Sequence, residues 1–363
     1  MTIECDVLVV GGGAAGLTAA HLLSHHGLKV IILEKRDKIG GGQPKYDITE
    51  GNRVTEILNK INIKPNKISN KSEWISKNNN YILNSKIQDF YFKRGSEIES
   101  IESRIFSKLD EENVDIRFNS MIYSIKKDNN IVKKVSSKES VILTRYVIVA
   151  EGGNSKFDKY LKVSSKIFAK FVGYGAVINS KDKEIIPHAK IYFNSDIAPG
   201  GYVYSGSVKN ESFHCIVIDD SFLGKVNLKT NLDRFLKSKI DSDNIDIKNY
   251  FTGSGLSGIK KTIQNNVFFI GGSAFLHDPF LGYGLNYAIE SAYFAAESII
   301  KEDKDIYKNY SNKTHDKLKQ LSFTREIWKK ADNDFFDKLI DAFNNGRKTE
   351  NEKINKIMNL FID

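Results

Sequence analysis

Three segments near the amino end follow one another without a break: Val7-Leu8-Val9-Val10, the run Gly11-Gly12-Gly13-Ala14-Ala15-Gly16, and Leu17 to Leu23. A branched apolar run with no polar alternation suits a parallel strand covered on both faces. The small and apolar residues after the glycines suit a helix packed on a sheet, stopped by Gly27. Lys29 to Leu33 supplies a second strand that ends on Glu34, which completes a β-α-β unit of about 30 residues. Gly11 permits the sharp turn, Gly13 lets a pyrophosphate approach the backbone, and Gly16 lets helix and strand close up. The exposed amides of Ala14 and Ala15 face that phosphate. Glu34 lies 18 positions beyond Gly16. There its carboxylate accepts both hydroxyls of an adenosine ribose and disfavours a 2′-phosphate, with Lys35 beside it. A dinucleotide is the expected ligand.

The 363 residues carry 54 Lys+Arg against 45 Asp+Glu, a formal charge of +9 spread through a lysine-, asparagine- and isoleucine-rich chain. Such a charge favours anionic surfaces, so peripheral membrane contact stays open. No basic helix interleaved with aromatics appears, and no nucleic-acid partner is expected. Cys5 and Cys215 are the only cysteines. They argue against a disulfide framework and for a reducing, cytoplasmic compartment, and they spell no metal site. An apolar strand begins within a few residues, no basic leader precedes it, and no apolar run reaches the roughly 20 residues of a membrane span.

Residues 41–90 are polar and asparagine-rich, apart from a strand expected at Ile87 to Phe92. Ile98, Ile101, Ile105 and Leu109 have helical spacing over 96–109. Strands are expected at about 115–126 and 131–136, paired around Asp128-Asn129-Asn130. Tyr146 to Ala150 reads as another buried strand, which ends on Glu151-Gly152-Gly153. From 168 to 260 short alternating segments, clearest at Ile191-Tyr192-Phe193 and Phe213 to Ile218, predict an antiparallel sheet. The first pattern then returns: Val267 to Ile270 as a strand, Gly271-Gly272-Ser273-Ala274 as a turn, and Gly284 to Ile300 as a long helix. The expected fold is α/β. A discontinuous Rossmann-type domain spans 1–165 and 262–304 with a loop insertion at about 41–95, an antiparallel-sheet domain covers 166–261, and helices fill 305–363. In those helices Phe335, Phe336, Leu339, Ile340 and Phe343 share one face, and Ile354, Ile357, Met358 and Phe361 share another. The first face could roof a lipid tunnel, dip into a membrane surface, or pack in a core.

The stretch Gly271 to Ser291, GGSAFLHDPFLGYGLNYAIES, resembles the second FAD fingerprint of the para-hydroxybenzoate-hydroxylase-like flavoproteins, in which a strand, a GD-type turn, a proline and a GxG lead into a helix. Matching Pro279, Gly282 and Gly284 to that pattern sets Leu285 and Asn286 at the flavin's pyrimidine edge, where helix amides stabilise the charge of the reduced ring. Within that superfamily the chain is most similar to the geranylgeranyl reductase group, FAD enzymes that saturate isoprenoid double bonds. The resemblance implies adenosine contacts at Ala15 and Glu34, an FAD-contacting arginine at Arg94, further contacts at Gly152, Gly272 and Ser273, and ring contacts at Gly284 and Leu285. Pro199 to Tyr204 looks like the start of that group's aromatic substrate motif. Tyr204 stands at its tryptophan position and Ser205-Gly206 at its Phe-Pro pair.

Departures from the family pattern are informative. Gly272 occupies the position of the acidic residue that bonds the FAD ribityl chain, and Ser273 offers only a neutral hydrogen bond, roughly 1 kcal/mol against up to about 3. In Ala150-Glu151-Gly152-Gly153-Asn154-Ser155, Glu151 replaces an aspartate, and Asp158 stands where the hydroxylases carry a basic residue. The cysteine that many of the reductases carry after the second strand is absent, with Lys45 and Tyr46 in its neighbourhood. Alkene reduction needs a hydride at one carbon and a proton at its neighbour in a dry cavity. Tyr46, Tyr202, His277 and Tyr283 are the candidate proton donors, and Tyr202, Tyr204 and Tyr283 the candidate substrate contacts. His277, beside Asp278-Pro279, is placed to titrate near neutral pH. His188 is a further candidate, whereas His25 and His26 end a surface helix.

Three readings follow. The first is an FAD-dependent reductase of polyprenyl (geranylgeranyl) lipid, with a hydrophobic isoprenoid substrate and an external electron donor left open among NADPH, ferredoxin and deazaflavin. The second is an FAD-dependent aromatic or polyketide monooxygenase. The third is a non-catalytic prenyl-binding carrier.

Overall fold

The computed structural model describes residues 2–42, 45–129, 131–137, 140–153, 155–179, 186–239, 245–346 and 349–360. Asn130, Asn154 and Phe361 lie outside them. The chain divides into two compact units, Met1–Asn66 with Phe92–Phe168 and Gly255–Gln320, and Lys67–Tyr91 with Ala169–Ser254 and Leu321–Asp363.

The opening apolar run forms the centre of the first unit's sheet. Its strands lie in the order Ile263–Gln264, Val267–Phe269, Val141–Val149, Thr2–Val10, Val30–Leu33, Val114–Arg117. From Val267–Phe269 onward every neighbouring pair is parallel. Val7 to Val10 pair with Val30 to Leu33 on one side and Tyr146 to Val149 on the other, so both edges and both faces are covered, as a run without polar alternation demands. The helices Ala14–Ser24 and Leu285–Ile300 pack against each other. The α/β architecture is the expected one.

Two expectations in this unit are corrected. The helix expected over 96–109 spans only Ile101–Phe106, because the Ser100 side chain caps it by accepting from the Ser103 amide; Ile98 is left 87% exposed. The strand expected at 115–126 is two strands. Val114–Arg117 enters the parallel sheet. The chain then turns through Asn119, at φ 52°, before Ser124–Asp128 pairs with Ile131–Ser136.

In the second unit, Glu211–Asp219 lies between Ser165–Asn179 and Tyr202–Val208 and is antiparallel to both. Ala189–Tyr192 continues the sheet, antiparallel to Tyr202–Val208 and parallel to Lys67–Ile75. Alternation gives this sheet two unlike faces. On one, Ala176, Ile178, Val203, Ile216 and Ile218 pack under Leu232, Phe235 and Leu236 of the helix Leu228–Lys239. The register puts Tyr202, Tyr204 and Gly206 on the other, beside Val217, Cys215 and Phe213.

The apolar face of the helix Asn333–Asn345 is spent inside this unit. Phe336, Leu339, Ile340 and Phe343 are buried. Phe336 stacks on Phe193 at 5.4 Å, and Phe343 meets Trp74 edge-on at 5.3 Å. Core packing, one of the three roles open to this face, is therefore the one these four side chains take. Among the described residues no helix is long and apolar enough to cross a membrane.

Candidate cofactor and active site

The first glycine turn is held by contacts no other residue type permits. A Cβ on Gly16 would sit 2.0 Å from the Gly11 carbonyl oxygen, and one on Gly11, at φ 111°, 2.4 Å from that of Ala150. Gly13 caps the helix Ala14–Ser24 without a side-chain bond, and the space where its Cβ would be is open to 4 Å. That leaves a helix amino end with no acid in its first turn and a clear approach to its amides, a site for phosphate. Glu34 is buried, and its two carboxylate oxygens accept from the Gly12 amide at 2.8 Å and the Arg36 amide at 3.0 Å. Lys35 is exposed.

The second corner meets the first. The turn Gly271–Ala274 follows the strand Val267–Phe269, and a Cβ on Gly271 would lie 3.4 Å from those of Ala15 and Ala288. A Cβ on Gly272 would lie 3.1 Å from the Gly153 amide nitrogen and 3.2 Å from the Gly152 Cα. The segments 11–16, 150–153 and 271–288, far apart in sequence, thus converge in one unit. Ser273 is fully buried and donates its hydroxyl to the Gly152 carbonyl at 3.1 Å. Its proton is committed to the protein, which leaves its oxygen free to act only as an acceptor.

Beneath that turn lies a group that reading for motifs missed. The Lys260 side chain is fully buried, with its ammonium 2.5 Å from Asp158 and 2.6 Å from the Ser273 carbonyl oxygen. It also stands 4.2 Å from the Phe269 ring centre. Burial pulls its pKa down and Asp158 opposes that. Asp158 is therefore the counterion of a buried lysine. Glu151 accepts from the Ser155 hydroxyl at 2.8 Å and the Phe157 amide at 3.1 Å, holding the start of the helix Phe157–Leu161.

His277 stands in the corner itself. Its Nδ1 lies 3.1 Å from the Leu256 carbonyl oxygen; since a carbonyl only accepts, Nδ1 carries the proton. Burial pushes its pKa down to about 4, against the nearby Asp47 carboxylate. It is neutral at pH 7, which corrects the expectation of titration near neutrality. Asp278 then closes the loop, accepting the Phe280 and Leu281 amides at 2.7 Å each. Pro279 and Gly282, at φ 67°, lead to Gly284, which caps the helix Leu285–Ile300 without a side-chain bond. In its first turn Leu285 is buried, and so is Asn286, whose Oδ1 has no hydrogen-bond partner among the described residues. Tyr283 is half-buried.

Arg94 bonds Glu102 through Nε at 2.7 Å and Asp47 through Nη1. Burial opposes its charge, yet the two carboxylates raise its pKa above the ordinary value. Asp47 is held low against burial by Lys45 and Arg94. Glu102 also accepts the Gly95 amide at 3.2 Å. Neighbouring Tyr46 is buried, 5.8 Å beneath the Lys93 ammonium.

Tyr202 and Tyr204 belong to the second unit, where their rings lie 6.5 Å apart and Tyr204 is 6.0 Å from Phe213. His188 is 3.6 Å from Glu73 in the same unit. In the first unit His25 and His26 sit against carbonyls of their own helix.

A family profile described as an FAD binding domain matches residues 4–321. The chain belongs to that family. As a member of the FAD binding domain family it is an enzyme, an FAD-dependent oxidoreductase. The digeranylgeranylglycerophospholipid reductase of Thermoplasma volcanium is 28% identical to it over 80% of this chain and 77% of its own. A geranylgeranyl bacteriochlorophyll reductase-like protein of Thermoplasma acidophilum shares its fold, with a TM-score of 0.78 at 22% identity over 94% of this chain and 92% of the other. A probable FAD-dependent monooxygenase of Pseudomonas aeruginosa shares it with a TM-score of 0.70 at 17% identity, over 93% and 100%.

Proposed function

We propose that this chain reduces carbon–carbon double bonds of a polyprenyl lipid. What carries the reading is the alignment along most of its length with a digeranylgeranylglycerophospholipid reductase, and it is supported by the aromatic sheet face of Tyr202, Tyr204 and Phe213. When bound, FAD supplies the hydride. The rest falls to the protein. Gly13, Ala14 and Ala15 present amides to the pyrophosphate, and Glu34 receives the adenosine ribose while it braces the glycine turn. Arg94, pinned by two carboxylates, fixes the loop beside them. Asn286 fits the ring, because its buried, unpartnered Oδ1 needs a donor and leaving it unmade costs about 1–3 kcal/mol.

The proton is the harder assignment. A neutral His277 with its hydrogen on Nδ1 presents no proton at Nε2. Tyr46 is the better donor in the first unit, since its phenol carries an O–H and it is buried in the same unit as the glycine turns. Tyr202 and Tyr204, on the aromatic face of the second unit's sheet, offer apolar ring surface of the kind that keeps water from an isoprenoid chain.

The test is anaerobic. The bound flavin is reduced with dithionite and mixed with a geranylgeranyl lipid, and flavin reoxidation and product mass are followed. Mass gain in steps of two hydrogens is expected; reoxidation without mass gain rejects the proposal. Oxygen incorporated into a small aromatic compound with NADPH oxidation would select a hydroxylase instead.

A further inference from the structure

The corner around Gly272 is built around a histidine. A Cβ on Gly284 would lie 2.4 Å from His277 Cδ2 and 2.5 Å from its Nε2, and one on Gly272 would lie 3.2 Å from its Cε1. Gly284 has φ −133°, outside the left-handed region that favours glycine, so it is the imidazole that demands glycine there. The ring is fixed in turn by the Nδ1 bond to Leu256. With the proton on Nδ1, Nε2 holds a lone pair. Among the described residues it accepts from nothing, and it lies at the start of the helix whose Asn286 also awaits a partner.

We propose that His277 Nε2 is a hydrogen-bond acceptor for a hydroxyl of the bound FAD, doing with a neutral imidazole what an acidic side chain at position 272 would do with a carboxylate. Gly272, Gly284 and His277 then form one unit of recognition. At Gly284 the imidazole fills the space a side chain would take, and at Gly272 it shares that space with the Gly152–Gly153 backbone. An aspartate at 272 is crowded while the ring is present: its Cβ would lie 3.1 Å from the Gly153 amide nitrogen, 3.2 Å from the Gly152 Cα and 3.2 Å from His277 Cε1, so both backbone and ring would have to give by a few tenths of an ångström. His277 is thereby a cofactor-binding residue rather than a proton donor. This inference rests on FAD as the cofactor and is independent of the lipid substrate.

The experiment measures FAD dissociation from the full-length protein by flavin fluorescence, with no substrate present. His277→Ala is expected to weaken FAD binding about tenfold, the loss of one modest hydrogen bond. Gly272→Asp alone is expected to weaken it as well, by crowding the ring. Combining the two removes the contact with the ring and supplies an acceptor, leaving only the Gly152–Gly153 backbone to give by a few tenths of an ångström, and affinity is expected to rise well above that of either single variant. Recovery in the double variant cannot come from a damaged fold. A single His277→Ala variant that binds FAD as the parent does, or a double variant no better than the singles, overturns the proposal. Gly284→Ala gives a second reading: it should lower the melting temperature in the parent and be tolerated in the His277→Ala background. Equal effects in both backgrounds count against the unit.

Discussion

Glu34 shows how one side chain serves both fold and ligand. Its carboxylate joins the glycine turn to the end of the second strand through the Gly12 and Arg36 amides, and bonds to an ionised acceptor are worth about 1.5–3 kcal/mol each. Glu34→Gln keeps the size and removes the charge. It should lower stability by about 1–2 kcal/mol in a denaturant titration and weaken FAD binding by tenfold or more; unchanged values in both would detach Glu34 from the turn. The buried histidines give the pH behaviour. His277 and His214, the latter 2.8 Å from Ser205, are each pushed to about 4 by burial. The unfolded chain, with ordinary histidines near 6.5, takes up protons before the folded one. Stability is therefore full above about pH 6.5 and falls as pH drops toward 4. Melting curves at pH 7.5 and 5.0 should show a lower midpoint at pH 5.0. His214→Phe should shrink that difference, and an undiminished difference would mean that His214 does not contribute.

At the scale of elements, the turn Gly271–Ala274 is supported from below by a fully buried ammonium. Removing one partner of a buried pair costs more than removing the charge, because the survivor is left uncompensated. Asp158→Asn, which strands a fully buried ammonium, should therefore destabilise by about 3 kcal/mol or more. Lys260→Met, by contrast, strands a carboxylate still 27% exposed and packs against Phe269 and Phe275, and should cost about 1–2 kcal/mol through the Ser273 carbonyl it leaves unbonded. Chemical unfolding that ranks the two in the opposite order would show that Asp158 is not what Lys260 depends on. This pair was not legible in the sequence. Asp158 looked like a departure from the hydroxylase pattern, and Lys260 ends a long strand where nothing marks it as buried. By contrast the β-α-β unit was fully readable, since its residues dictate strand, turn and helix locally. The helix Leu228–Lys239 was missed although Leu228, Leu232, Phe235 and Leu236 recur at helical spacing; it lies among strands, and four apolar positions between lysines read equally as alternation. Val54, Ile57, Leu58 and Ile61 hid the helix Asn52–Lys60 in the same way.

Across the whole molecule the sequence reading succeeded wherever contacts are local or glycine-defined. It fell short where distant segments decide a side chain's state. That His277 would be neutral follows from Leu256, Gly284 and Gly272 meeting around it, and no local pattern announces such a meeting. The carboxyl-terminal helices make the same point. Their aromatic face left a lipid tunnel, a membrane surface and core packing open, and only the meeting of distant segments shows that Phe336 closes a cluster with Trp74, Phe193 and Trp328 inside the second unit. Truncating a buried phenylalanine costs about 3–5 kcal/mol, a large share of a typical domain's stability. Phe336→Ala is therefore expected to lower the denaturation midpoint strongly, whereas Phe335→Ala, on a half-buried neighbour, should change it by about 1 kcal/mol. The same pair of variants, mixed with anionic vesicles and sedimented, separates packing from membrane contact: if Phe335→Ala abolishes co-sedimentation while leaving stability intact, this helix has a surface role that its buried face does not reveal, and equal sedimentation of both folded variants leaves the helix to the core alone.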